Sequence, residues 1–318
     1  MCPINGTVAD GAVILARARL LTRQSAENAT AQATQIAHTA WRAVCWSPSQ
    51  AANLYRSIKA LKTLSISKTR RFAEERFAFA TKSAKSIHFS TKSASAEILA
   101  EDRIIANSLI EDDEFADLET GTGVGTWSSV LAIDLRGSTA MAEALGGENT
   151  YVLVHTLLPT LAWSLKRLGG TVMNYRGDGV FAGFGLTKVY REQDEPESHQ
   201  KRDANQTAIT SGFQLLEAVQ DAIQPVLNEG GIDVSLSIGI GIESGAMVVT
   251  KVGWLKSHEL TAYGSPINRA CHLTGGTNSV RVGPNAWATI PTSPDGTLFP
   301  SAINGGFEIS CSEKMASV

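Results

Sequence analysis

Apolar positions recur every three or four residues through "AENATAQATQIAHTAWRAV" (26–44) and "AANLYRSIKALKTL" (51–64). That is the period of helices with one face turned to a core. "SPSQ" at 47–50 supplies a helix start between them. From about residue 126 the pattern changes. "SSVLAIDL" is too short for a helix and predicts a largely buried strand. "STAMAEALGG" and "TYVLVHTLLPTLAWSLKRLGG" return to helical spacing, the second closed by Gly169 and Gly170 as a C-cap. "TVMNYRGDGVFAGFG" predicts a hairpin about Gly177-Asp178-Gly179. The polar "TKVYREQDEPESHQKRD" predicts a loop, and a helix follows over about 204–227. "DVSLSIGIGIESGAMVVTKVG" predicts two strands turning at Glu243-Ser244-Gly245, and a further helix opens near "SPINRACHL".

Strand, helix, hairpin, helix, hairpin is the order of an α+β fold with a mostly antiparallel sheet. The ferredoxin-like, split-βαβ arrangement fits it best. Residues 1–120 are expected to form a helical N-terminal region of unassigned role, and 126–318 a second domain. "EDDEFADLETGTGVG" (111–125), acidic and then glycine-rich, is the expected linker.

Composition narrows the class. The 318 residues are 43% hydrophobic and 19% charged, with a net charge of −3, as in a globular protein with a sizeable core. The overall charge gives no argument for a nucleic-acid or membrane partner. Between Arg56 and Lys92, eight Lys and Arg residues (Lys59 to Lys85) face only Glu74 and Glu75. A basic arm is one reading of this run; a solvated helix face is the favoured one. Cys2, Cys45, Cys271 and Cys311 lie far apart with no CxxC pair, as expected of reduced thiols in the cytoplasm. Arg17 and Arg19 interrupt the apolar run near the start, so neither a signal peptide nor a membrane span is expected.

Two carboxylates carry the candidate chemistry. Asp134 ends the first strand, and "LRGST" after it combines a tight turn at Gly137 with a helix start at Ser138 or Thr139, a natural phosphate cradle. Asp178 sits on the hairpin tip. The expected topology makes these neighbours, and adjacent carboxylates repel unless a cation joins them. Hard divalent ions such as Mg²⁺ or Mn²⁺ take oxygen ligands and bridge to phosphates. Each segment alone also reads as an ordinary turn; the two together favour a metal-dependent phosphoryl site.

"AIDLRGSTAMAE", "GGTVMNYRGDGVFAGFG", "SLSIGIGIESGAMVV" and "LTAYGSPINRACHLT", in that order, resemble the motifs of class III nucleotidyl cyclases over about 127–290. The resemblance implies a cyclase domain over 126–318 that acts as a homodimer, with active sites shared across the interface and two metal ions per site. It implies that Asp134 and Asp178 bind metal and that backbone from Leu135 through Arg136, Gly137 and Ser138 to Thr139 holds the triphosphate. Asn268 matches the asparagine that orients the ribose. One helical turn on, where the family usually places a transition-state arginine, stands His272. Arg269 is a nearby cation, about 100° round the helix.

Adenylate cyclases of this class read adenine with a lysine at the position of Asn174 and an Asp or Thr at that of Thr261. Here the lysine is missing. Strand alternation puts Asn174 and Arg176 on one face and Tyr175 on the other. An amide and a guanidinium beside Thr261 suit a base with two carbonyl oxygens, which is uracil; cytosine fits less well. Arg176 as a triphosphate contact or a surface ion pair stays open. This pattern resembles the Pycsar antiphage pyrimidine cyclases, whose cyclic UMP or cyclic CMP activates a separate effector. The expected activity is therefore a uridylate cyclase, with a cytidylate or adenylate cyclase, or a catalytically silent regulatory module, as alternatives.

Overall fold

The computed structural model describes residues 63–87, 115, 117–189, 196–254, 257–290 and 298–311. The helices expected at 26–44 and over most of 51–64 lie outside the described residues. Helix α1 spans Ile66–Ile87. Strand β1 (Gly123–Leu135) leads into helix α2 (Ser138–Leu168), then the β2–β3 hairpin (Thr171–Arg176, Gly179–Lys188). Helix α3 (Ser198–Ala218) continues through a π-turn (Val219–Ile223) into α4 (Gln224–Glu229). Strands β4 (Ile238–Trp254) and β5 (Ser257–Tyr263) precede helix α5 (Ser265–Leu273). Strand β6 (Ser279–Val282), the short helix α6 (Pro284–Trp287) and strands β7 (Leu298–Ile303) and β8 (Gly306–Cys311) complete the described chain.

The fold is α+β, as expected. One sheet runs β2-β3-β1-β4-β6-β8-β7, with β5 paired onto β4, and every pairing is antiparallel except β4 with β6. Central β1 is buried on both faces, which is why its sequence is a continuous apolar run and not an alternation. Leu131, Ile133 and Leu135 face the main core beneath the long helices, while Val130 and Ala132 face a smaller core with Met173, Phe181, Ile267 and Ala270.

The two helices expected over 138–170 form one element broken at Gly146 (φ 73°, ψ 172°). The expected C-cap holds: Gly169 is left-handed, and the Gly169 and Gly170 N–H groups donate to the Lys166 and Leu165 carbonyls. Three boundaries differ. Helix α3 begins at Ser198, inside the expected loop, where Glu197 and Gln200 form a reciprocal capping box. Strand β4 does not turn at Glu243-Ser244-Gly245 but runs unbroken for 17 residues, pairing with β1 from Leu135↔Ile238 to Gly123↔Thr250. The segment expected as a linker also joins the fold: Phe115 is buried, the Gly121 N–H donates to the Lys251 carbonyl, and β1 already starts at Gly123.

Helix α1 shares the main core. Its Ala73, Ala80 and Ala84 are buried there with Leu64, and Phe72 stacks on Trp163 of α2 at 5.0 Å. The composition shift near residue 120 therefore does not separate α1 from the sheet. Among the basic residues, Arg70 bonds both oxygens of Glu229 at 2.7 Å and Arg71 pairs with Glu75, in keeping with a solvated face. Arg76 instead lies buried with its guanidinium over the Phe79 ring. Among the described residues no helix is long and apolar enough to cross a membrane.

Ala73 has no exposed surface, so Ala73→Leu should overpack the α1 seat and cost about 1–3 kcal/mol. A circular-dichroism melt several degrees below wild type is expected; an unchanged melt would mean that α1 is not seated in the core.

Candidate active site

The first half of the site is the carboxylate pair. Asp134 is the penultimate residue of β1, one third exposed, and pairs with the Arg136 guanidinium two residues on. Hairpin β2–β3 closes through a two-residue turn between Arg176 and Gly179, with Gly177 at φ 60°. A positive φ at the first turn position alone is the pattern of a type II′ turn, which favours glycine there. Because Ile133 pairs with Val180, the turn brings Asp178 alongside the end of β1. Topology thus makes Asp134 and Asp178 neighbours, as expected from the sequence.

A cavity of about 270 Å³ opens between these elements, lined by Leu135, Ser138, Thr139, Gly177 and Asp178, with Met141, Leu145 and Leu153 among its apolar walls. Arg136 and Asp134 do not line it. Helix α2 starts there without a side-chain cap, its N-cap being Gly137 (φ 69°). Its first N–H groups are therefore left for another acceptor. Asp178 has no hydrogen bond or ion pair among the described residues, and Asp134 has only Arg136. No group of three or more His, Cys, Asp or Glu side chains gathers among the described residues. Two carboxylates fit a hard cation whose remaining ligands come from phosphate and water.

The second half is on the sheet face opposite the long helices. Asn174 Nδ2 donates to Thr261 Oγ1 at 3.3 Å, joining β2 to β5 across 87 residues of sequence. Thr261 is buried, Asn174 half-buried. Arg176 is exposed, its guanidinium 5.3 Å from the Phe181 ring. Phe181 belongs to the smaller core beneath α5, so Asn174 and Arg176 share that face, while Tyr175 packs against the main core. Burial pushes the Cys271 thiol up, with the charge of Arg176 opposing it, which places Arg176 beside α5.

Helix α5 carries Asn268 and His272, both exposed and one turn apart on one face. Arg269 is turned away toward Glu243, with Nη1 3.9 Å from Oε2. The sequence reading missed Glu243 as anything but a turn residue. Its carboxylate is fully buried, and Oε1 accepts from the Ser244 N–H at 2.8 Å and the Ala286 N–H at 2.9 Å. The available signal was a lone carboxylate inside the apolar "SIGIGIESG".

Tyr175 has a buried hydroxyl with no hydrogen-bond partner among the described residues, and burial pushes its pKa up to about 12, the charge of Arg76 on α1 opposing the shift. A raised phenol pKa means that the native state holds its proton longer than the unfolded chain. Its stabilising contribution is present below pH about 10 and is lost as pH rises toward about 12. Tyr175→Phe should remove an alkaline loss of about 2–3 kcal/mol from denaturant-melt profiles. Superimposable wild-type and variant profiles over that range would contradict the buried-phenol assignment.

No protein-family profile matches the chain. It is 29% identical over 162 residues to the cytidylate cyclase of Escherichia coli, covering 48% of this chain and 34% of that one. It is 25% identical over 154 residues to the uridylate cyclase of Rhodovulum sp. (strain MB263), covering 46% of this chain and 57% of that one. The match thus spans about a third to rather more than half of the length of these relatives. Among solved structures, the adenylyl cyclase CyaB from P. aeruginosa aligns at 18% identity and a TM-score of 0.49, over 61% of this chain and 98% of that one. The chain resembles nucleotidyl cyclases, and its curated relatives differ in the base that they are named for.

Proposed function

We propose that residues from about 126 onward form a nucleotidyl cyclase that converts UTP to 3′,5′-cyclic UMP and pyrophosphate. The observation that carries the base assignment is the Asn174–Thr261 hydrogen bond, with Arg176 on the same sheet face. The two positions at which the family reads its base meet in one place, without the lysine that adenine needs. Asn174 has a short reach and Arg176 adds guanidinium donors, which match the carbonyl oxygens of uracil. The amino group of cytosine would oppose those donors.

In the reaction the ribose 3′-oxygen attacks the α-phosphorus, a new O3′–P bond forms, and the bond to the pyrophosphate breaks. Asn268 orients the ribose. Of the Leu135–Thr139 backbone, Leu135 is paired in the β1–β4 ladder and the Arg136 N–H donates to the Ser237 carbonyl at 2.8 Å, so Gly137, Ser138 and Thr139 at the uncapped start of α2 are the N–H groups offered to the phosphates. His272 faces the substrate where the family has arginine, and donates fully to phosphate only when protonated. Asp134 and Asp178 would hold Mg²⁺ or Mn²⁺, two ions per site, which supply neutralisation of the charge that develops on the leaving pyrophosphate. Arg136, paired with one oxygen of Asp134, would compete with a cation for that carboxylate.

The site is proposed to form across a homodimer, the carboxylates from one subunit and Asn174, Thr261, Arg176 and Asn268 from its partner. A two-fold pair would hold two equivalent composite sites. Exposed Val248, Val252 and Tyr263 on the β4–β5 arm offer apolar surface for such a partner. The role in the cell is proposed to be a cytoplasmic antiphage signal read by a separate effector. The resemblance to a cytidylate cyclase favours CTP as the second reading, and His272 in place of arginine keeps a silent regulatory module as a third.

Four equimolar triphosphates with Mn²⁺, read by mass spectrometry, are expected to yield cyclic UMP above cyclic CMP, and both above the purine products. Mainly cyclic AMP would overturn the pyrimidine assignment, and no cyclic product from any triphosphate would favour the silent module. Asp178→Ala should abolish turnover without lowering the melting temperature, because its carboxylate has no partner among the described residues. Turnover retained in a folded Asp178→Ala protein would remove the two-carboxylate site.

A further inference from the structure

We propose that Glu243 is a positioning residue: it sets helix α5 on strand β4 through Arg269, so that Asn268 and His272 face the substrate. The proposal rests on the cyclase reading of α5.

The antiparallel register of β4 with β1 is regular, so Gly239, Gly241, Glu243 and Gly245 lie on one face. That face carries α5. A Cβ at Gly239 would lie 1.8 Å from the Thr274 carbonyl oxygen, one at Gly241 2.0 Å from that of Ala270, and one at Gly245 3.0 Å from the Pro266 ring. Helix backbone rests directly on strand backbone over this length. Glycines give closeness, but they offer no side chain that would stop the helix sliding or turning about its axis.

Glu243 is the one side chain on that strip, and it lies where α5 presents Arg269. It is fully buried. Two backbone N–H groups, from Ser244 and from Ala286 in α6, hold Oε1 and fix the carboxylate in place. Among the described residues Oε2 has no hydrogen-bond partner, and Arg269 Nη1 stands 3.9 Å from it. A buried carboxylate oxygen attracts a nearby cation, and because Arg269 is 55% exposed water screens the pair, so the contact orients the helix more than it stabilises the fold. Arg269 is the residue after Asn268 and lies about 100° from it around the helix. Holding Arg269 toward the strand therefore turns Asn268 and His272 outward. The same contact means that Arg269 does not stand in for the missing transition-state arginine.

The test uses Glu243→Gln, Arg269→Gln and the double variant in the full chain. Gln at 243 keeps an acceptor for both backbone N–H groups and loses the charge. Arg269 is 55% exposed, so its loss should leave the melting temperature within about a degree of wild type. Each single variant is expected to lower kcat on the order of tenfold to a hundredfold, with KM for UTP within about twofold. The double variant should be no worse than the poorer single one, since both break one contact. Amide hydrogen exchange over Ser265–Leu273 should quicken in all three. Full kcat in a folded Arg269→Gln protein, or additive losses in the double variant, would overturn the proposal. Wild-type protein that makes no cyclic nucleotide would sink the cyclase reading instead, and exchange over α5 would still decide the tether: unchanged protection in Arg269→Gln overturns it.

Discussion

Backbone touches backbone where α5 crosses β4, and the site depends on that contact. Nothing larger than hydrogen fits at positions 239 and 241 without pushing α5 off the sheet. The closeness brings Ile267 and Ala270 into the smaller core with Val130, Ala132 and Phe181. It also leaves Asn268 and His272 at the surface of the helix whose Cys271 feels the charge of Arg176. Strand β4 can serve as the seat because it is long: it pairs with β1, then β5, and along its first half with β6. One strand thus joins the carboxylate end of β1, strand β5 with Thr261 and the helix of Asn268.

The elements that the sequence made legible were those with local causes. A glycine must stand first in the β2–β3 turn, two glycines close α2, and β1 is apolar on both faces because both are covered. Strand β4 was misread for a physical reason. Glycine every second residue, followed by Glu-Ser-Gly, has the composition of a turn, yet here the glycines answer to a helix packed on them from elsewhere in the chain. Local pattern cannot distinguish glycine chosen for its backbone angles from glycine chosen for the space above it. The place of α1 was hidden likewise: alanines at 73, 80 and 84 give a weak apolar stripe, and only the partner helix α2 shows that they are core.

Within the site, chemistry was easier to read than orientation. Acidic residues at strand ends and the missing lysine are visible as letters, and the fold brings Asp178 to Asp134 and Asn174 to Thr261. The interactions that aim those groups were not visible. Arg136 on Asp134, Arg76 near Tyr175 and Glu243 near Arg269 are pairings in which one partner looked like a solvated charge or a turn residue. Strand β2 is held from both sides, by Thr261 on one face and by the main core around Tyr175 on the other.

The central claim is that a nucleoside triphosphate binds at the joined ends of β1 and the β2–β3 hairpin through a divalent cation. The most direct measurement is calorimetric titration of the full chain with an α,β-methylene UTP analogue that cannot cyclise, with and without Mn²⁺, in wild type and in Asp178→Asn. The account predicts saturable binding that needs Mn²⁺ and is lost in the variant while its fold persists. Equal binding with and without Mn²⁺, or undiminished binding by Asp178→Asn, would contradict it.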